Sequence, residues 1–244
     1  MKITQLSLLL MTSFGLMASV HAAIAKDQSD AGKNLLKLSD TAVQAGVDGV
    51  LGGATVDFAH FKSGGANQNG VYHFSGSDIP VPSHQGLGVW DFKQLGANAI
   101  YFGEWAKEVK DSAGNYTKQA DAATHTVFYI GDNADSTISS TGTATYNVTG
   151  LNNGQHYAGT YQADFAANSL TGSLSNATDT FNLGQASINA SNATISGHDA
   201  SWSGANHNAT GGQVSGQFFN QQNDLAGIAT FENRTQDIAF GGSK

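Results

Sequence analysis

The stretch GVYHFSGSDIPVPSHQGLGVWDFKQLGANAIYFGEW, Gly70–Trp105, holds both prolines of the chain, two of its eight histidines and two of its three tryptophans. Imidazole is the side chain best suited to hold a transition metal at neutral pH. In IPVPSHQGLGVW, Pro80 and Pro82 fix φ on the approach to His84 and suppress regular hydrogen bonding. Gly86 and Gly88 release the backbone on the exit, and Ile79, Val81, Leu87 and Trp90 are apolar. A stiff loop that presents one imidazole beside apolar side chains preorganises a ligand.

Composition narrows the alternatives. The chain has no cysteine, which rules out a thiolate nucleophile, an iron–sulfur cluster and a cysteine zinc site. The three methionines, Met1, Met11 and Met17, all lie in the first residues. There, Lys2 precedes an apolar run from Leu8 to Met17, followed by Val20, His21 and Ala22, the pattern of a secretory signal peptide over residues 1–22. The run is too short for a membrane span. Without a cysteine at the cleavage site, the exported protein is expected to be free rather than lipid-anchored. Net charge is −8, and no Lys or Arg occurs from Gln119 to Asn233. A nucleic-acid partner, which needs a basic stripe, is excluded, and an anionic membrane surface is equally disfavoured.

The elements that must position the histidines fall into two groups. Leu35, Leu36, Leu38, Val43 and Val47 recur near helical spacing, so residues 27–50 are expected to form one helix. Thereafter the period is two. Thr55–Phe61, Gly70–Phe74, Gly88–Phe92, Ala99–Trp105 and His125–Gly131 read as short strands between Gly/Asn/Asp/Ser/Lys punctuation. A polar boundary at 132–141 follows. From 142 to 244 come eight strand-like runs with short turns, the pattern of a closed, antiparallel up-and-down β-barrel. Ser, Thr, Asn and Gln at alternate positions favour a water-soluble barrel over an outer-membrane one. Gly, Ser and Ala at those positions also argue for a narrow, filled interior. The expected fold is mainly β: an N-terminal α+β handle domain over 24–131, a linker, and an eight-stranded barrel.

The last hairpin, GGQVSGQFFNQQNDLAGIATFEN (Gly211–Asn233), resembles the closing hairpin of barrels in the transferrin-binding protein B superfamily. His125–Leu151 and the run VWDFKQLGANAIYFGEW (Val89–Trp105) resemble more particularly the hemophilins, secreted hemophores of Gram-negative bacteria. The resemblance spans nearly all of the chain beyond the signal segment. It implies haem b binding in the handle and export through a surface lipoprotein assembly modulator (Slam) translocon. It also implies delivery of the haem to a TonB-dependent outer-membrane receptor. Relatives of the same architecture bind other ligands, so a host-protein or symbiosis factor on this scaffold is the alternative.

For haem, the residues to weigh are axial ligands, an apolar slot and propionate partners. Among the seven histidines left after the signal, His156, His198 and His207 sit in Gly/Asn/Ser-rich barrel context and read as loop or surface imidazoles. His60, His73, His84 and His125 lie in the handle. His84 is the first choice of axial ligand; His60, flanked by Phe58 and Phe61 on a strand expected to carry Phe58 on the same face, is the second, and one ligand instead of two is the alternative. Trp90, Phe58, Phe61 and Leu87 are the expected contacts to the porphyrin, with Phe92, Phe102 and Trp105 more simply core. Lys62 and Lys93 are the nearest cations for the propionates. No nucleophile elbow, phosphate loop, zinc-protease motif or dinucleotide fingerprint occurs, and Glu104 alone is no catalytic signature. A binding protein is expected, not an enzyme.

Overall fold

The computed structural model describes residues 23–29, 35–84, 86–114, 116–119 and 125–244. The expected signal peptide, with His21, lies outside the described residues. Where a helix was expected over 27–50, the structure has short strands, Ala25–Gln28, Leu36–Leu38 and Gln44–Val47. Among the described residues the only helical turns are 3-10 turns. Leu36 and Leu38 are buried on either side of an exposed Lys37, which is strand periodicity, and they pair with Val47 and Ala45. Gly46 explains the rest: a Cβ there would lie 2.3 Å from the Ala54 carbonyl oxygen, so the backbones approach too closely for a side chain.

The handle is built on a five-stranded antiparallel sheet. Its spatial order is Ala25–Gln28, Thr126–Gly131, Ile100–Ala106, Val89–Gln94 and Tyr72–Ser75. The Ile100–Ala106 and Thr126–Gly131 strands are buried along their whole length. Alternation explains this. Tyr101, Trp105, Phe128 and Ile130 point into the handle core, while Ile100, Phe102, Val127 and Tyr129 pack with Leu151, Phe219, Ile228 and Ala239 of the barrel. The closest approach is at Gly241, where a Cβ would sit 2.5 Å from the Phe102 ring. Handle and barrel therefore share a core.

The barrel has eight antiparallel strands, Thr143–Asn152, Gln155–Asp164, Ser169–Ser175, a broken fourth strand (Asp179–Asn182 with Ala186–Asn189), Thr194–Gly204, Ala209–Phe219, Asp224–Thr230 and Ile238–Ser243. The first and last pair with each other, Asn147 opposite Ser243, and so close the sheet. The fourth strand breaks at Gly184 (φ 71°), whose missing Cβ makes room for the Asp199 carboxylate. The interior is filled, as expected, with large rings packed where Ala and Gly leave room. Trp202 packs against Tyr157 and Phe181 at 4.9 and 5.2 Å, and Tyr161 meets Phe240 edge-on at 5.4 Å. Gly150 and Gly227 lie on the same inner face, each opposite Phe240, while Ser and Thr positions such as Thr145, Ser173 and Ser203 face outward.

The polar segment after Gly131 is tied down. Asp135 accepts the backbone N–H groups of Gln221 and Gln222 at 2.8 and 2.7 Å. Those residues and Asn220 hold three consecutive left-handed conformations (φ 54–64°), which are costly for side-chain-bearing residues. The carboxylate offsets that cost by collecting the N–H groups the turn concentrates.

Candidate functional site

The loop around His84 is closed at its base, where Gly76 N–H donates to the Gly88 carbonyl at 3.0 Å. Inside it, successive turns link Val81 N–H to Ile79 O, His84 N–H to Val81 O and Leu87 N–H to His84 O, and Pro82–His84 is a 3-10 turn. The indole N–H groups of Trp90 and Trp105 both donate to the Leu87 carbonyl at 2.8 Å. That shared acceptor accounts for the two tryptophans: they anchor the loop's exit to the sheet. Gly88 (φ 73°) is obligatory there, since a Cβ would collide with the Trp105 indole nitrogen at 2.4 Å. Trp105→Phe keeps an aromatic ring but removes one of the two donors and part of a buried side chain. It is expected to cost about 1–3 kcal/mol in denaturant unfolding, with haem stoichiometry unchanged.

Phe58 and Phe61 do not lie on a strand. After the short Val56–Asp57 strand, residues Phe58–Lys62 form a 3-10 turn capped by Asp57, whose carboxylate accepts Ala59 N–H at 2.7 Å. With three residues per turn, Phe58 and Phe61 share one face and are buried, and His60 turns to solvent beside the Asp57 carbonyl. The expectation that His60 and Phe58 share a face is thus corrected. Phe58 stacks on Tyr101 at 4.5 Å and meets Phe92, Phe61, Phe128 and Trp90 within 6.4 Å. Phe61 stacks on Trp90 at 4.8 Å. Phe58, Phe61, Trp90 and Leu87 all belong to the packed handle core. In this structure these side chains pack against one another as a floor of the handle core.

The apolar surface that remains accessible is the loop's outer side. Val81 is 42% exposed, one of two large hydrophobics so exposed among the described residues, and Ile79 and His84 are half-buried. Facing them is the Gly-rich turn with the half-buried Val50 and Leu51: a Cβ on Gly86 would touch Val50 Cγ2 at 3.6 Å. Val50 and Leu51 were not among the expected contacts, although an apolar pair framed by Gly49, Gly52 and Gly53 marks an exposed hydrophobic turn.

The other histidines have different surroundings. His125 is fully buried at the junction with the barrel, with Nδ1 2.7 Å from the Arg234 carbonyl and Nε2 2.6 Å from Glu104. Both nitrogens are engaged, so it presents none to a metal. His73 is exposed, with Nδ1 2.7 Å from Asp91, whose hydrogen bond raises the imidazole pKa against the opposing effect of burial. His156 lies beside Lys93 and His198 is exposed. His207, expected at a surface, is buried with its ring stacked on Trp202 at 4.6 Å. Lys62 donates to Gln94 at 2.7 Å, and Lys93 sits at the barrel seam, away from the His84 loop along its strand.

Two family models match the chain in tandem, the HphA N-terminal heme-binding domain over residues 19–117 and the HphA C-terminal domain over 136–244. Among solved structures, the haemoglobin receptor HpuA from Kingella denitrificans is 15% identical, with a TM-score of 0.58, covering 93% of this chain and 88% of that one. Intact Ap-TbpB matches at 13% identity and TM-score 0.55, over 91% of this chain and 46% of that one. Transferrin Binding Protein B from Haemophilus parasuis Hp5 matches at 15% and 0.53, over 91% and 44%. The chain therefore spans about half the length of those two transferrin-binding proteins. At these identities they share its fold. None of the described helices is long and apolar enough to cross a membrane. The two models together cover most of the sequence, and the chain belongs to the HphA family, a hemophilin-type binding protein with haem as its ligand and not an enzyme.

Proposed function

We propose that this protein is a secreted hemophore that captures haem on the handle through the His84 imidazole and hands it to a TonB-dependent outer-membrane receptor. The observation that supports the reading is the half-buried His84 on a loop anchored by two indoles, with Ile79 and Val81 on the same loop and Val50 against its Gly86. Haem is cargo here. The residues bind and orient it: the imidazole takes the iron, these apolar side chains take the porphyrin face, and the propionates stay in water. The signal-type residues 1–22 and the family resemblance support secretion and export by a Slam-type translocon, with the barrel, which has no Lys or Arg before Arg234, as the module that translocon reads.

A second ligand reading has its own support. Hydrogen bonding of Nδ1 to a carboxylate is how proteins orient a metal-binding imidazole, and His73 has that arrangement with Asp91. His73 lies on the sheet face that carries Asp91 and Glu104, so it would serve a second, more polar contact. Titration of the purified apo-protein with hemin tests the function itself. A sharpened Soret band saturating near one haem per chain is expected. A spectrum that stays that of free hemin throughout would refute haem capture.

A further inference from the structure

A cleft of about 320 Å³ lies on the seam between handle and barrel. Asn67 and Asn69 line it from the handle, and Gln155, His156, Asn176 and Thr178 from the barrel. No Asp or Glu is among its lining residues. Its acceptor atoms are largely spent within the protein. Asn67 Oδ1 takes the N–H groups of Asn69 and Val71 at 2.8 and 3.1 Å. Asn176 Oδ1 takes Thr178 N–H, Thr178 Oγ1–H and Asp179 N–H at 2.9, 3.1 and 2.9 Å. Asn67 is left with its amide nitrogen to offer, while that of Asn176 is directed to the Tyr157 hydroxyl.

Lys93 completes the picture. Its ammonium donates to Asn69 O at 2.7 Å and lies 3.3 Å from His156 Nε2. An ammonium has only donors, so His156 Nε2 is the acceptor and the imidazole hydrogen resides on Nδ1. Burial and the neighbouring Lys93 lower the His156 pKa, in keeping with a neutral ring. Lys93 is half-buried and makes no ion pair among the described residues; burial lowers its pKa with no carboxylate to oppose it. A half-buried cation thus stands directly behind two lining residues of the cleft, Asn69 and His156, with no carboxylate among the lining, in a chain of net charge −8.

We infer that this seam binds a small oxyanion, a carboxylate or a phosphate, which accepts from Asn67 and His156 and pairs with Lys93 beside them. Bound there, it would tie the handle's Asn67–Asn69 turn to the barrel's hairpin and so stiffen the junction. This site is separate from the His84 loop and stands whether or not His84 holds haem.

The test is a two-dimensional amide NMR titration of the full chain with sodium acetate and, separately, with inorganic phosphate, at constant ionic strength held with chloride. Saturable shifts confined to residues around 67–71, 154–156 and 176–178 are expected with at least one of the two. Acetate or phosphate acting alone would assign the class as carboxylate or phosphate. Lys93→Met is expected to weaken binding about tenfold and His156→Ala several-fold, with His198→Ala unchanged. Should either variant fail to fold, the localised wild-type shifts still decide. Absence of saturable shifts with both anions, or binding indifferent to folded Lys93→Met and His156→Ala, would overturn the inference.

Discussion

Glu104→Ala is expected to lower the unfolding free energy by about 3–5 kcal/mol, the cost of leaving buried partners unpaired. The Glu104 carboxylate is fully buried between handle and barrel. It receives Lys118 Nζ at 2.7 Å, His125 at 2.6 Å, and the backbone N–H groups of Asn153 and Gly154 from the barrel's first hairpin. Removing it leaves Lys118 with Asp91 alone and strands the His125 Nε2 and two backbone amides at once. Burial pushes the Glu104 pKa up, but Lys118 and His125 outweigh it and hold the carboxyl far below the usual range. Its folded pKa being depressed, the stabilisation is fully present above the ordinary carboxylate pKa and is lost as pH falls below it toward the folded value. Burial lowers the pKa of Lys118 and Glu104 with Asp91 raises it further, the net shift being upward. That contribution is present below the ordinary lysine pKa and fades above it. Urea unfolding of wild type and Glu104→Ala at several pH values reads both effects. A difference below 1 kcal/mol at neutral pH would remove Glu104 as the keystone of the junction, and Glu104→Gln should fall between.

Phe58→Ala is expected to cost a similar 3–5 kcal/mol by opening a cavity in the handle. Phe58 is fully buried and meets five other rings, so few neighbours can collapse into the space. Phe58→Leu should cost about 1 kcal/mol, because most of the volume stays. Unfolding followed by tryptophan fluorescence would register the handle directly, since Trp90 and Trp105 both lie in the same cluster. A Phe58→Ala variant as stable as wild type would mean that the ring floor is loose enough to part for a ligand.

The barrel was legible because alternation and short turns repeat eight times, and even its broken fourth strand appears as one run, FNLGQASINA. The start of the handle was not. Leu35, Leu36, Leu38, Val43 and Val47 fit a period of 3.6 as readily as two. Strands of three or four residues owe their existence to tertiary partners and not to local propensity. The run DFAHF misled for a related reason: one capping aspartate turns a strand-like pattern into a 3-10 turn and moves His60 from Phe58's face to solvent. Glu104 carried no signal at all, since its partners lie 14, 21, 49 and 50 residues away. The Pro-bracketed His84 loop was visible as a stiff segment. What pins it, two indoles on one carbonyl, required the sheet.

Haem capture by the handle through His84 is tested most directly by hemin titration of single variants side by side, followed in the Soret region. His84→Ala should shift or weaken the band and lower affinity at least tenfold. His198→Ala and His207→Ala, in the barrel, should bind as the wild type does, provided each remains folded. An unchanged Soret band in His84→Ala, with haem binding lost on replacing a folded barrel histidine, would contradict both the ligand and the assignment of haem to the handle.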